Sequence, residues 1–236
     1  MKDIWIITIY GFIVGMAGTG LGGFVSLFVK NTNRVLSFLL GLTAGFMLFI
    51  VTFHLLPESF ILGGISIVIL GILLGILLII FVENNIEEMV KNPLMKSSLL
   101  LGISIAVHNF PEGLALGSSF LTASNLGPVL SLAMLLHNIP EGLSMAIPFK
   151  VNKTSSWRII LYTTLTGLPT GIGAFIGAYI GMVSNMFISL CLSFAGGTML
   201  YIICDEIIPN AKTLHKGRAS SIGIIIGFVI GIVLYF

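Results

Sequence analysis

The sequence predicts an all-α integral membrane protein of eight transmembrane helices in a 3+2+3 arrangement. Three observations carry that prediction. The chain is 56% hydrophobic, only 8% of its 236 residues are charged, and its mean hydropathy is +1.11, which places it in the membrane class. Its apolar stretches reach the length needed to cross a hydrocarbon core of roughly 30 Å, about 20 residues. Its polar residues recur in two internal repeats.

Eight stretches qualify as spans, at roughly 4–29, 35–57, 62–82, 97–121, 127–149, 157–182, 187–209 and 219–236. They take up residues 1–236, so a single transmembrane domain is expected and no soluble one. The first stretch is too long for a signal-peptide core and shows no obvious cleavage site, so it counts as a span. Basic residues set the orientation. Lys30 and Arg34 lie between spans 1 and 2, Lys91 and Lys96 between 3 and 4, Lys150, Lys153 and Arg158 between 5 and 6, and Lys212, Lys216 and Arg218 between 7 and 8. The connections near 58–62, 121–127 and 183–187 contain no Lys or Arg. Ten of eleven basic residues therefore share one side, Lys2 being the exception, and the positive-inside rule makes that side cytoplasmic. The reading is a multi-pass protein of the cell (plasma or inner) membrane with both termini outside. A net charge of +2 spread over four loops gives no patch for nucleic acid. Cys191 and Cys204 share span 7, about 20 Å apart on a helix. They cannot bridge each other and read as small apolar core residues.

The repeats point to a mechanism. "VHNFPEGLAL" (107–116) recurs 29 residues later as "LHNIPEGLSM" (136–145). "MLFIVTFHLLPE" (47–58) matches "MLYIICDEIIPN" (199–210) at an offset of 152, with Gly45 and Gly197, Met47 and Met199, and Pro57 and Pro209 in register. The same offset lays span 6 on span 1 and span 8 on span 3. Spans 2 and 7 cross in opposite directions, as do 4 and 5. Spans 1–3 with 6–8, and 4 with 5, are thus inverted repeats, a common build for secondary transporters whose site lies near the midplane.

On a helix His108, Asn109 and Glu112 fall at about 0°, 100° and 40°, and His137, Asn138 and Glu141 do the same. A carboxylate in hydrocarbon is expensive, so these groups should face the bundle interior and one another. Pro111 and Pro140 leave the carbonyls of Val107 and Leu136 without their usual donor, which is tolerated where helices line a cavity. Two imidazoles, two carboxylates and two amide oxygens suit a borderline divalent cation. Zn²⁺ comes first, with Fe²⁺, Mn²⁺, Co²⁺ and Cd²⁺ also served by such donors. A buried His–Glu hydrogen-bond network holding two kinked helices would explain one copy of the motif, but not two midplane copies on inverted helices.

"HNFPEG" and "HNIPEG" on neighbouring spans resemble the signature of the ZIP family of metal transporters, in particular its bacterial zinc-uptake branch. The resemblance covers the whole chain and extends to "TAGFML" and "HLLPE" in span 2 and "DEIIP" in span 7. It implies import of divalent metal toward the cytoplasm through a site between spans 4 and 5. It also implies alternating access, one helix bundle moving against the other, usually in a homodimer. His54 and Glu58 close span 2 at the outer face; Asp205 and Glu206 close span 7 at the inner face, with Glu206 matching His54. They read as relay stations for the ion or as solvated helix ends, and the family's placement of metal-binding residues at the Asp205–Glu206 position favours the relay there. Met47 aligns with a family position that can offer a thioether to the metal, and core filling is the alternative. The family's loop between spans 3 and 4 is often His-rich. Here "ENNIEEMVKNPLMK" (83–96) contains no His and reads as a short solvated connection. In span 6, related proteins often carry an acidic residue in a stretch resembling "SGLAEP"; "TGLPTGIGA" (166–174) puts Thr170 there instead. One tight metal at His108, Glu112, His137 and Glu141 is expected, with at most a weak second one near Asn109 and Asn138. The rival reading is a membrane-embedded metalloenzyme with the same ligands. Against it, the sequence has no H-E-x-x-H and no separate nucleophile or general base beside the motif.

Overall fold

Hydrocarbon offers the backbone no hydrogen-bond partner, so an apolar chain satisfies its N–H and C=O groups within helices. The computed structural model describes residues 4–28, 32–89, 93–121, 126–151, 153–182 and 184–235, and every regular element among them is helical. In chain order these are α1 (Ile4–Ser26), α2 (Asn33–Ile50), α3 (Leu56–Met89), α4 (Pro93–Ser119), α5 (Leu126–Val151), α6 (Ser156–Leu165), α7 (Leu168–Gly181), α8 (Asn185–Ile202), α9 (Ile208–Leu214) and α10 (Ala219–Tyr235). Five-residue π turns, Val51–Leu55 and Ile203–Ile207, join α2 to α3 and α8 to α9.

Among the described residues, Ile4–Ser26, Asn33–Val82, Ser156–Gly181 and Asn185–Leu214 are long and apolar enough to cross a membrane, and Ala219–Val233 is a shorter apolar helix. Helices α4 and α5 have 27 and 26 residues, about 40 Å each at the α-helical rise. Large apolar side chains point outward: Ile61 is 79% exposed, Val233 70% and Trp5 67%. Lipid covers such a surface without the cost that water would impose.

The 152-residue repeat reappears in α2 with α8 and in the two π turns. Helix α8 begins and ends 152 residues after α2, and the two π turns keep the same spacing. Thr32 and Ser184 cap α2 and α8, each side chain accepting the N–H three residues on, Val35 and Phe187, at 3.4 Å. The π turns have a local cause. Pro57 and Pro209 cannot donate to the carbonyl one turn back. The helix widens just before each, and the N–H groups of Leu56 and Ile208 reach back five residues to Val51 and Ile203.

Two sequence expectations are corrected here. The connection placed near 58–62 is helical, and the helical dihedrals break instead at Gly64 (φ 69°, ψ 175°), a conformation that glycine adopts without strain. Span 6, read as continuous over 157–182, is broken between α6 and α7 at Thr166–Gly167, because Pro169 denies the helix a donor.

Packing divides the helices into two groups. Helix α1 lies against α5, α6 and α7, and α4 against α7 and α5; α3 pairs with α8 and α2 with α10. The pairs exchange under the repeat: α1 on α5 mirrors α7 on α4, and α2 on α5 mirrors α8 on α4. In this layer the offset is 151, not 152. Gly22 is pressed on the carbonyl of Ile139 as Gly173 is on that of Phe110, and Gly142 on Thr19 as Gly113 is on Thr170. Thr170 stands 14 residues before its helix cap Ser184, Thr19 only 13 before Thr32, and that extra residue shifts the register. The main core, with Met47, Val51, Leu116, Leu130, Met134 and Met199 all buried, lies where the two groups meet.

Candidate metal centre

Proline in the middle of α4 and of α5 sits beside the only acidic side chains of either helix's central turns. Both Glu112 and Glu141 are buried, as are Asn109, His137 and Asn138. Glu112 on α4 and His137 on α5 meet across the helix interface, Oε1 to Nε2 at 2.8 Å, both side chains fully buried. The other ring nitrogen of His137 donates to the carbonyl of Ala133 at 3.0 Å. A carbonyl can only accept, so Nδ1 carries hydrogen and Nε2 is the atom turned to Glu112. A backbone carbonyl behind the second ring nitrogen is the usual support of a metal-ligating imidazole.

Near this pair several buried polar atoms have no hydrogen-bond partner among the described residues: Oδ1 of Asn109, both amide atoms of Asn138, and Oγ1 of Thr170. Each such atom costs about 1–3 kcal/mol when left unbonded. Native interiors tolerate few, and those found ask for an explanation such as an ion. Asn109 does use its amide nitrogen, which donates to the carbonyl of Thr166 at 2.7 Å. Glu141 follows His137 by one turn on α5. The side chain of His108 lies outside the described residues, and among the described residues no three His, Cys, Asp or Glu side chains gather into one cluster.

The remaining predicted residues are spread along α2–α3 and α8–α9. Met47 is fully buried in the main core, opposite in the repeat to the equally buried Met199. His54 is buried in the first π turn, edge-on to Phe49 at 5.5 Å. Glu58 is half-buried in the first turn of α3. In the second π turn Asp205 is exposed and accepts from the Tyr201 hydroxyl at 3.3 Å, and Glu206 is half-buried. A cavity of about 50 Å³ has His54 and Ala133 in its wall. A second, about 630 Å³ and lined almost wholly by apolar groups, extends from Phe110 and Thr166 to Val82 and Phe149.

Sequence reasoning missed the backbone half of the site: the carbonyls of Ala133 and Thr166, and the close approach of Gly113 and Gly142 to α7 and α1. Two signals pointed there. Each motif ends in glycine, and Pro169 interrupts span 6.

A carboxylate–imidazole pair is thus buried between two apolar helices, with one cavity beside Ala133 and another beside Phe110. Residues 84–235 match the model of the family described as ZIP zinc transporter. The chain is 32% identical to the zinc transporter ZupT of Chlorobium phaeovibrioides over 98% of its own length and 97% of that protein's. It is 31% identical to ZupT of Streptococcus mutans, over 92% and 93%, and 38% identical to the zinc transporter GufA of Myxococcus xanthus over 58% and 55%. The chain belongs to the ZIP zinc transporter family. It is therefore a membrane transporter of metal ions, and the metalloenzyme reading is set aside.

Proposed function

We propose that this protein carries Zn²⁺ into the cytoplasm by alternating access, binding it between α4 and α5 at His108, Glu112, His137 and Glu141. The observation that carries the reading is the buried Glu112–His137 contact with the Ala133 carbonyl behind it. Glu112 and Glu141 together match the charge of one divalent ion, which a low-dielectric interior demands. Asn109 and Asn138 add neutral oxygens, and Fe²⁺, Mn²⁺, Co²⁺ and Cd²⁺ fit the same donors. Met47 adds a thioether if the core opens at that point.

The ion enters past Glu58 and His54, crosses the small cavity to His137, and leaves through the larger cavity, with Asp205 and Glu206 as inner stations. The larger cavity lies at the helix ends next to the basic loops, which supports its facing the cytoplasm. In this reading eight spans form a 3+2+3 inverted repeat in the cell membrane, both termini face outside, and two copies pair as a homodimer. Purified protein in liposomes holding a zinc-responsive dye tests the core of it. Glu112→Ala and Glu141→Ala should each abolish uptake while still inserting into the bilayer; wild-type uptake by either refutes the assignment.

A further inference from the structure

The two motif asparagines are equivalent in sequence but not in structure. Both are fully buried. Asn109 is held by its Nδ2–H bond to the Thr166 carbonyl, 2.7 Å, with Oδ1 left without a partner. Asn138 lies against Gly18 of α1, and neither of its amide atoms has a partner among the described residues.

The difference traces to the helix each asparagine faces. In the 151-residue register Gly15, Gly18 and Thr19 correspond to Thr166, Pro169 and Thr170. Helix α1 is continuous at this point, and Thr19 Oγ1 donates back to the Gly15 carbonyl at 3.0 Å. That carbonyl is used inside its own helix. In the second half Pro169 has no N–H and its ring crowds the turn before it. The Thr170 N–H bonds the Gly167 carbonyl at 3.2 Å, and Thr170 Oγ1 takes no partner. The Thr166 carbonyl is released to Asn109.

We infer that Pro169 is a positioning residue for metal binding: by breaking span 6 it frees the Thr166 carbonyl to hold Asn109, whose Oδ1 is thereby preset toward the ion while Asn138 is left unheld. This deepens the proposed function and rests on its reading of Asn109 as a ligand. Pro169→Ala restores the N–H that serves the Leu165 carbonyl and adds no bulk, so the helix can close over the break and the Thr170 N–H can turn from Gly167 to take the Thr166 carbonyl back.

The test is a double-mutant cycle on the equilibrium Zn²⁺ affinity of the full-length protein in detergent, measured by competition with a chromophoric chelator. Asn109→Ala and Pro169→Ala should each weaken binding about five- to tenfold, the scale of one hydrogen bond, and the double variant should bind no more weakly than Asn109→Ala alone. Pro169→Ala combined with Asn138→Ala should be additive. The absorption spectrum of bound Co²⁺ should change in Pro169→Ala as it does in Asn109→Ala, a response that a merely loosened helix does not give. Pro169→Gly, which copies the residue of the first half, is read the same way if the alanine variant does not fold. Additive effects of the Asn109 and Pro169 changes, or wild-type affinity in either, overturn the inference and leave the Glu112–His137 site standing. Wild-type affinity in Glu112→Ala overturns the site itself.

Discussion

Gly113 closes the first motif, and replacing it with alanine is the sharpest test of how the helices hold the site. A Cβ built there would lie 2.9 Å from the Cα and C of Thr170 and closer still to its carbonyl oxygen. These are backbone atoms, so no side-chain rotation relieves the contact. Ordinary carbon–carbon contact is about 3.5–4.0 Å, so α4 and α7 must part by roughly 1 Å. Overpacking of this kind costs about 1–3 kcal/mol. The larger consequence falls on the neighbouring residue. Glu112 meets His137 at 2.8 Å, and a shift of that size stretches the contact beyond the hydrogen-bond range of about 3.2 Å. Binding constellations tolerate about 0.5 Å. Gly113→Ala should therefore lower the melting temperature in detergent and weaken Zn²⁺ binding by at least about tenfold, a cost of about 1.4 kcal/mol in affinity. Gly142→Ala should behave alike, because its Cβ would strike the Thr19 carbonyl. Thermal unfolding followed by size-exclusion fluorescence and chelator competition measure the two effects. An alanine variant with wild-type melting temperature and affinity would falsify the close helix approach.

Three further outcomes follow from the same geometry. A protonated imidazole cannot bind metal, so Zn²⁺ affinity should fall as pH drops from about 7.5 to 5.5, across the reference imidazole pKa of about 6.5; a constant that stays flat over that range rules out His108 and His137 as ligands. Ser37 Oγ has no partner because Ala211 stands where, 152 residues away, Ser59 pairs with Ser189 at 2.9 Å. Ala211→Ser should recover about 1 kcal/mol, seen as a melting temperature about 2–4 °C higher, and a lower one contradicts the pairing. With Thr170 in place of an acid, two divalent ions would share two carboxylates, so crystals soaked in moderate zinc should show one strong anomalous peak; two adjacent peaks at full occupancy would show that Thr170 does not limit the site.

Much of this molecule is legible along the chain. Apolar length and composition determined a helical membrane protein, and "HNFPEG" with "HNIPEG" determined the family. The 152-residue repeat was readable because cap, methionine and proline recur at fixed spacing, and the caps Thr32 and Ser184 and both π turns obey it. These features are local: helical periodicity and the chemistry of a cap or a proline act within a turn or two of sequence. The one-residue slip to 151 in α1 and α7, the break that Pro169 makes in span 6, and the carbonyls of Ala133 and Thr166 were settled by tertiary structure. Every residue carries the same backbone carbonyl, so sequence cannot say which one is spared by its own helix and faced by a side chain from another. That depends on how closely two helices approach, and here the approach is set by glycines pressed against backbone, Gly113 on Thr170 and Gly142 on Thr19.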